Sequence, residues 1–191
     1  EFGSIDPAHE IDDQLITISS LLGLDLNANS SSRKDWLLVN GIPVGRELAV
    51  SPPSATRDGS IIVLIATDAP LLSIQLRRLC KRAILGLART GKVSHTGSGD
   101  FILAFSTAQH IPRTDPLVQS THADRGFVDT VQTLRDGGLT PLFRAVIETT
   151  EEAVINALCV ADTMVGRDDR VMPGLPHDRL VQILKQHGRI E

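Results

Sequence analysis

Residues 61–67, Ile-Ile-Val-Leu-Ile-Ala-Thr, form the most apolar strand-like run in the chain, and five of the seven are β-branched. Arg57-Asp58-Gly59 sets a turn directly before it, and Asp68-Ala69-Pro70 closes it. A run of this length and content reads as a buried strand, Ser60 to Thr67, and a buried strand demands helices packed on its sheet. Pro70 is placed to open the helix that follows. There Leu72, Leu76, Leu79, Ala83 and Leu87 recur at three- and four-residue steps as a core stripe. Arg77, Arg78, Lys81 and Arg82 fall between them and read as a solvated face.

Later segments repeat the theme. The turn "HTGSGD" leads into "FILAFST", which reads as a second buried strand, and "AQHIPRTDPLVQSTHADRG" reads as a long surface loop. Val146, Ala153, Ile155, Leu158 and Ala161 predict one long amphipathic helix or two consecutive ones, with Gly166 as the stop. A short final helix is capped near Gly188. Upstream, Asn40-Gly41 and the Pro43/Gly45 spacing predict short strands joined by tight turns, and "AVSPPSATRDG" reads as an exposed linker ending at Gly59. Strands, helix, strand and helices in that order predict an α+β arrangement, with helices packed on a sheet.

With 191 residues the chain has the material for one substantial core. Its net charge of -4 and scattered basic residues give no nucleic-acid footprint, and neither nucleic acid nor membrane is an expected partner. No apolar run is long enough to span a bilayer, and the N-terminus lacks the pattern of a signal peptide. Glu-Phe-Gly-Ser at 1–4 reads as a cloning scar, which places the natural N-terminus elsewhere. Cys80 and Cys159 lack redox or zinc spacing and read as buried thiols of a reducing, cytoplasmic compartment. The six histidines share no metal-ligand spacing, so no metal or cofactor is expected, and His95 reads as a loop histidine.

Several usual nucleophile and nucleotide motifs are missing: there is no G-x-S-x-G, H-E-x-x-H or Walker sequence. Gly59-Ser60 leaves one chemical route. A serine hydroxyl can be activated by the residue's own α-amine once that residue is N-terminal, because an α-amine with a pKa of about 8 is partly uncharged at neutral pH. Glycine before it allows the close, strained approach of hydroxyl to carbonyl that an N-to-O acyl shift requires. On these two residues alone, the favoured reading is the plainer one, a turn that ends where a strand starts.

The wider sequence resembles the L-aminopeptidase/D-esterase (DmpA-type) family, which includes the β-peptidyl aminopeptidases. The resemblance is carried, in order, by "LNAN", "NGIPVGREL", "DGSIIVLIATDAPLL", "LRRLCKRAILGLARTG", "GSGDFILAFST", "TEEAVINALCVADTMVGRD" and "LPHDRLVQIL". It implies an αββα sandwich of the DmpA/ornithine acetyltransferase type, similar to the N-terminal-nucleophile hydrolases and here incomplete. It also implies self-cleavage at Gly59-Ser60. Residues 1–59 would match the end of an α-subunit with its linker, residues 60–191 would match the β-subunit, and together they would form one domain. Ser60 then corresponds to the nucleophile, Ser98 and Asp100 to its support, and Asn29 to the oxyanion donor. Asp100 stands where some relatives carry glutamate. The implied activity is that of an autoprocessing serine aminopeptidase or amidase, which takes N-terminal residues from short peptides, amides or esters by acyl transfer to Ser60. A homo-oligomer of αβ units is the expected assembly.

One departure separates the chain from that pattern. Only 59 residues precede Ser60 and the chain has no tyrosine, whereas the family's α-subunit is several times longer and supplies a catalytic tyrosine and half the sandwich. Either the chain is a fragment, or it is a shortened relative whose own first strand lies in Ile11 to Leu26. In both cases the sheet face that the missing strands should cover is exposed or covered by a partner, which invites association. The alternative function is that of a truncated, unprocessed domain that acts in binding or assembly.

Overall fold

The computed structural model describes residues 16–19, 37–48, 60–94, 99–110, 130–169 and 171–191. Asn29, Gly59 and Ser98 lie outside the described residues, as do His95, the whole of the expected linker (49–59) and residues 111–126 of the expected surface loop.

Three strands form the main sheet, in the order β1 (Ile16–Ser19), β2 (Ile61–Thr67) and β3 (Asp100–Ser106). β1 runs antiparallel to β2, with Ile16 opposite Thr67. β2 runs parallel to β3, from Ile61 opposite Asp100 to Thr67 opposite Ser106. A parallel pair needs a long crossover, supplied here by helix α2 (Ser73–Arg89). A shorter helix, α1 (Val44–Leu48), precedes β2, and α3 (Leu139–Val160) follows β3.

Period two decides what is buried. Ile61, Val63, Ile65 and Thr67 point to one face and are buried, where they pack with Leu79, Ala83 and Leu87 of α2 and Leu139, Leu142 and Val146 of α3. The opposite face carries Ile62, Phe101, Leu103 and Phe105, which are between 44% and 64% exposed. β3 is therefore half-buried rather than buried. An apolar run predicts cover on both faces, and the described helices supply it on one. Among the described residues this apolar face is left open.

Helix α2 begins at Ser73, later than Pro70. The Pro70 carbonyl accepts the Leu134 N–H (2.8 Å), and Leu72 is held extended as the N-cap, its N–H donating to Gln75 Oε1 (3.0 Å). The Gln75 amide then donates to the Leu134 carbonyl (2.7 Å), and Thr133 Oγ1 donates to Gln75 Oε1 (2.9 Å). Buried Gln75 thus replaces Leu72, which is exposed, at the head of the buried stripe. Of the predicted basic face, Arg77 and Lys81 are exposed. Arg78 and Arg82 are half-buried over the Phe143 ring, with guanidinium carbons 5.3 and 3.9 Å from its centroid.

The predicted long helix is one continuous element. It ends at Val160, before Gly166 is reached, because the chain folds back through a hairpin of β4 (Met164–Val165) and β5 (Val171–Met172). The Gly174 N–H then donates to Thr163 Oγ1 (3.0 Å), and a Cβ at Gly174 would stand 2.6 Å from the Ala161 carbonyl oxygen. The last helix, α4 (His177–Gln186), buries Leu180, Ile183 and Leu184 against Val39, Ile42 and Val44. It is capped as expected: Gly188 has φ +62° and donates to the Lys185 carbonyl, and Arg189 donates to that of Leu184. Asn40 and Gly41, with φ of 50° and 75°, make the predicted tight turn. Its flanks reduce to a single Val39–Ile42 bridge, and residues 44–48 are helical rather than strand. Cys80 and Cys159 are half-buried rather than buried, and burial pushes the Cys80 thiol above its ordinary range.

α2 and α3 meet through a backbone contact. A Cβ at Gly86 would lie 2.5 Å from the Ile147 carbonyl oxygen and 2.7 Å from Thr150 Cβ. Gly86→Val is expected to destabilise the fold by about 1–3 kcal/mol or more through overpacking. Gly137→Ala, where nothing lies within 4 Å of the added Cβ, should leave stability nearly unchanged. Thermal melts of the two variants check the contrast.

Candidate active site

Because β2 and β3 are parallel, both begin at the same end of the sheet, and the residues at their starts become neighbours. Ser60 is the residue before β2, exposed and with its Oγ accepting the Gly99 N–H at 3.0 Å. In return the Ile61 N–H donates to the Gly99 carbonyl at 3.3 Å. Gly99 therefore holds Ser60 through its N–H and Ile61 through its carbonyl. A side chain there would crowd the hydroxyl, since an added Cβ would stand 3.3 Å from Ser60 Oγ.

Asp100 follows as the first residue of β3, opposite Ile61 in register. Lys92 Nζ lies 2.9 Å from Asp100 Oδ1, and the two side chains are only 19% and 15% exposed. The end of α2 aims this lysine. Gly91, at φ +93°, reverses the chain after Thr90, and the Lys92 N–H returns to the Leu87 carbonyl at 3.2 Å. Thr90 is buried, donates its hydroxyl to the Leu87 carbonyl (2.8 Å) and accepts the Leu38 N–H on its own carbonyl (3.2 Å). The segment leading into the Asn40-Gly41 turn is thereby tied to the end of α2.

Of the four residues singled out for chemistry, Ser60 and Asp100 meet at this sheet end, while Asn29 and Ser98 lie outside the described residues. Two participants were not singled out from the sequence: the Gly99 N–H and the Lys92 ammonium. A backbone donor leaves no residue-type signal, and Lys92 shows only as a basic residue after a helix-ending glycine. An exposed hydroxyl held by a backbone N–H, beside a sheltered carboxylate–ammonium pair, is an arrangement able to orient an attacking oxygen and stabilise charge as it develops.

Comparison with known proteins gives this arrangement its context. The chain is 41% identical over 187 residues to the β-peptidyl aminopeptidase BapA of Sphingosinicella microcystinivorans, an alignment covering 90% of this chain and 45% of that protein. A solved structure from Pyrococcus horikoshii OT3 matches with a TM-score of 0.71 and 43% identity, over 82% of this chain and 40% of the other. The L-aminopeptidase D-Ala-esterase/amidase of Ochrobactrum anthropi, a prototype for the serine aminopeptidases with a variant of the Ntn hydrolase fold, matches with a TM-score of 0.70 and 37% identity. That match covers 83% of this chain and 41% of the other. The chain spans less than half the length of each of these relatives. Its α+β fold is of the same Ntn-hydrolase-like type. The model of Peptidase family S58 matches residues 10–172, so the chain belongs to Peptidase family S58.

Proposed function

We propose that this chain carries the nucleophile of an autoprocessing serine aminopeptidase. The reading rests on one observation above all: Ser60 stands exposed at the start of β2, with its Oγ fixed by the Gly99 N–H beside Asp100. Processing would begin with attack of Ser60 Oγ on the Gly59 carbonyl, converting the peptide bond to an ester and freeing the Ser60 amine. Water then hydrolyses the ester, leaving a carboxylate on Gly59 and a free α-amine on Ser60. Residues up to 59 then belong to one subunit and those from 60 onward to a second.

In turnover, Ser60 Oγ attacks the first carbonyl of a substrate's N-terminal residue while the Ser60 amine accepts the hydroxyl proton and passes it to the leaving amine. Asn29 donates to the oxyanion, and Ser98 and Asp100 orient the hydroxyl and amine. Water releases the acyl group. The substrates are N-terminal residues of short peptides, amides or esters, a class supported by the peptidase family and by the activities for which its relatives are named. The open face of Ile62, Phe101, Leu103 and Phe105 supports association with further strands and with other αβ units as a homo-oligomer.

Intact-mass measurement of the full-length protein should show two chains that part between Gly59 and Ser60, and Ser60→Ala should give one uncleaved chain with no hydrolysis of aminoacyl p-nitroanilides. Cleavage or turnover that survives Ser60→Ala would sink the proposal, and an uncleaved, inactive wild-type protein would point to an assembly domain instead. Asn29→Ala, in protein that has cleaved, is expected to lower kcat by about 10²–10³, the usual effect of losing one oxyanion donor. Steady-state kinetics on the purified cleaved form check it.

A further inference from the structure

Ion pairs among the described residues differ in how far they are sheltered, and His187–Glu47, with side chains 41% and 32% exposed, is intermediate. Arg78–Asp136, Arg89–Glu151 and Arg167–Asp168 each have at least one side chain 50% or more exposed, and such pairs contribute little. Lys92–Asp100 is sheltered on both sides, and it lies at the sheet end where Ser60 sits. Removing two charges from water is costly, so a sheltered pair is poorly explained as a device for stability. Its position suggests a different task. Asp100 follows Gly99, whose N–H donates to Ser60 Oγ and whose carbonyl, in the peptide shared with Asp100, accepts the Ile61 N–H, so what holds Asp100 in place restrains the neighbour of the residue that grips the hydroxyl.

We propose that Lys92 is a positioning residue of this site, acting through Asp100: its ammonium holds the carboxylate in place and offsets its charge, keeping the Ser60 amine uncharged and able to accept a proton near neutral pH. The inference rests on the reading of Ser60 as an N-terminal nucleophile. A carboxylate without a counter-charge would favour the ammonium form of a nearby amine, and a neighbouring cation disfavours it. Two of the other charges on the surrounding elements are engaged elsewhere. Arg89 at the end of α2 pairs with Glu151 of α3, Glu47 of α1 pairs with His187, and β2 and β3 carry no ionisable side chain besides Asp100.

The test uses full-length protein with Lys92→Met and Lys92→Arg, with Ser60→Ala as reference and cleavage confirmed by intact mass. The readout is kcat and KM for an aminoacyl p-nitroanilide from pH 5.5 to 9.5. Lys92→Met should move the acid limb of the profile to higher pH. Activity near pH 6.5 would then fall by roughly three- to tenfold, through kcat more than KM, with much less loss near pH 9. Lys92→Arg, which keeps the charge, should restore the limb. A Lys92→Met profile of unchanged shape overturns the inference, whether its rates are equal to wild type or uniformly lowered. Should Lys92→Met fail to fold or cleave, Lys92→Arg decides: an acid limb shifted despite the retained charge overturns it, and an unshifted limb supports it. Hydrolysis surviving in Ser60→Ala would count against the nucleophile reading, whereas an inactive Ser60→Ala beside an unaltered Lys92→Met profile counts against Lys92 alone.

Discussion

The parallel pairing of β2 with β3 is the constraint on which the described site depends. Antiparallel neighbours would place the start of one strand beside the end of the other, and Ser60 would face Ser106 rather than Asp100. Parallel pairing forces a crossover, and the crossover forces a helix whose C-terminal end returns to the same end of the sheet. One topological choice therefore delivers three groups to one place: the hydroxyl before β2, the peptide and carboxylate at the start of β3, and the ammonium just beyond α2. Hydrophobic burial stabilises the arrangement from below, because Ile61 and Leu87, next to the site in sequence, belong to the same buried cluster.

Features governed by neighbouring residues were legible in the sequence. The Asn40-Gly41 turn and the Gly188 cap follow from backbone conformations that few residues adopt, and β2 follows from an unbroken β-branched run. Features that join distant residues were not. Pro70 reads locally as a helix opener, yet its carbonyl is taken by Leu134, and no local pattern announces that partner. β3 looks buried because both its faces are apolar, while burial depends on what lies opposite. Likewise the contact of Gly99 with Ser60 spans 39 positions, and only the fold brings them together. Ser60 and Asp100 could be singled out for chemistry through the resemblance to a known family. Periodicity alone gave them no more than a turn and a strand start.

Polar groups in the interior are used sparingly and with defined partners. Gln75 offers its oxygen to Leu72 and Thr133 and its amide to Leu134, and Thr150 returns its hydroxyl to the Val146 carbonyl at 2.6 Å. Each satisfies itself within the layer it occupies, so the helices close on the sheet without leaving bonding capacity of these side chains stranded. Ser106 and Thr67 do the same at the far end of the strands: Ser106 Oγ donates to the Ala69 carbonyl, and Thr67 Oγ1 accepts the Ala69 N–H.

The position of Gly86 within α2 has a mechanical meaning. Helices that touch through backbone can rock about the point of contact more easily than they can slide, and Gly86 marks that point three residues from the helix's last residue, Arg89. At a rise of about 1.5 Å per residue, the pivot lies roughly 5 Å from Arg89 and roughly 20 Å from Ser73. A given angular fluctuation therefore moves the end bearing the ammonium about one quarter as far as the opposite end. The long arm is where Gln75 is fastened to residues 133 and 134, which restrains the larger excursion at its source. α2 is thus braced by backbone contact at the end nearer Ser60 and tethered by side-chain hydrogen bonds at the other.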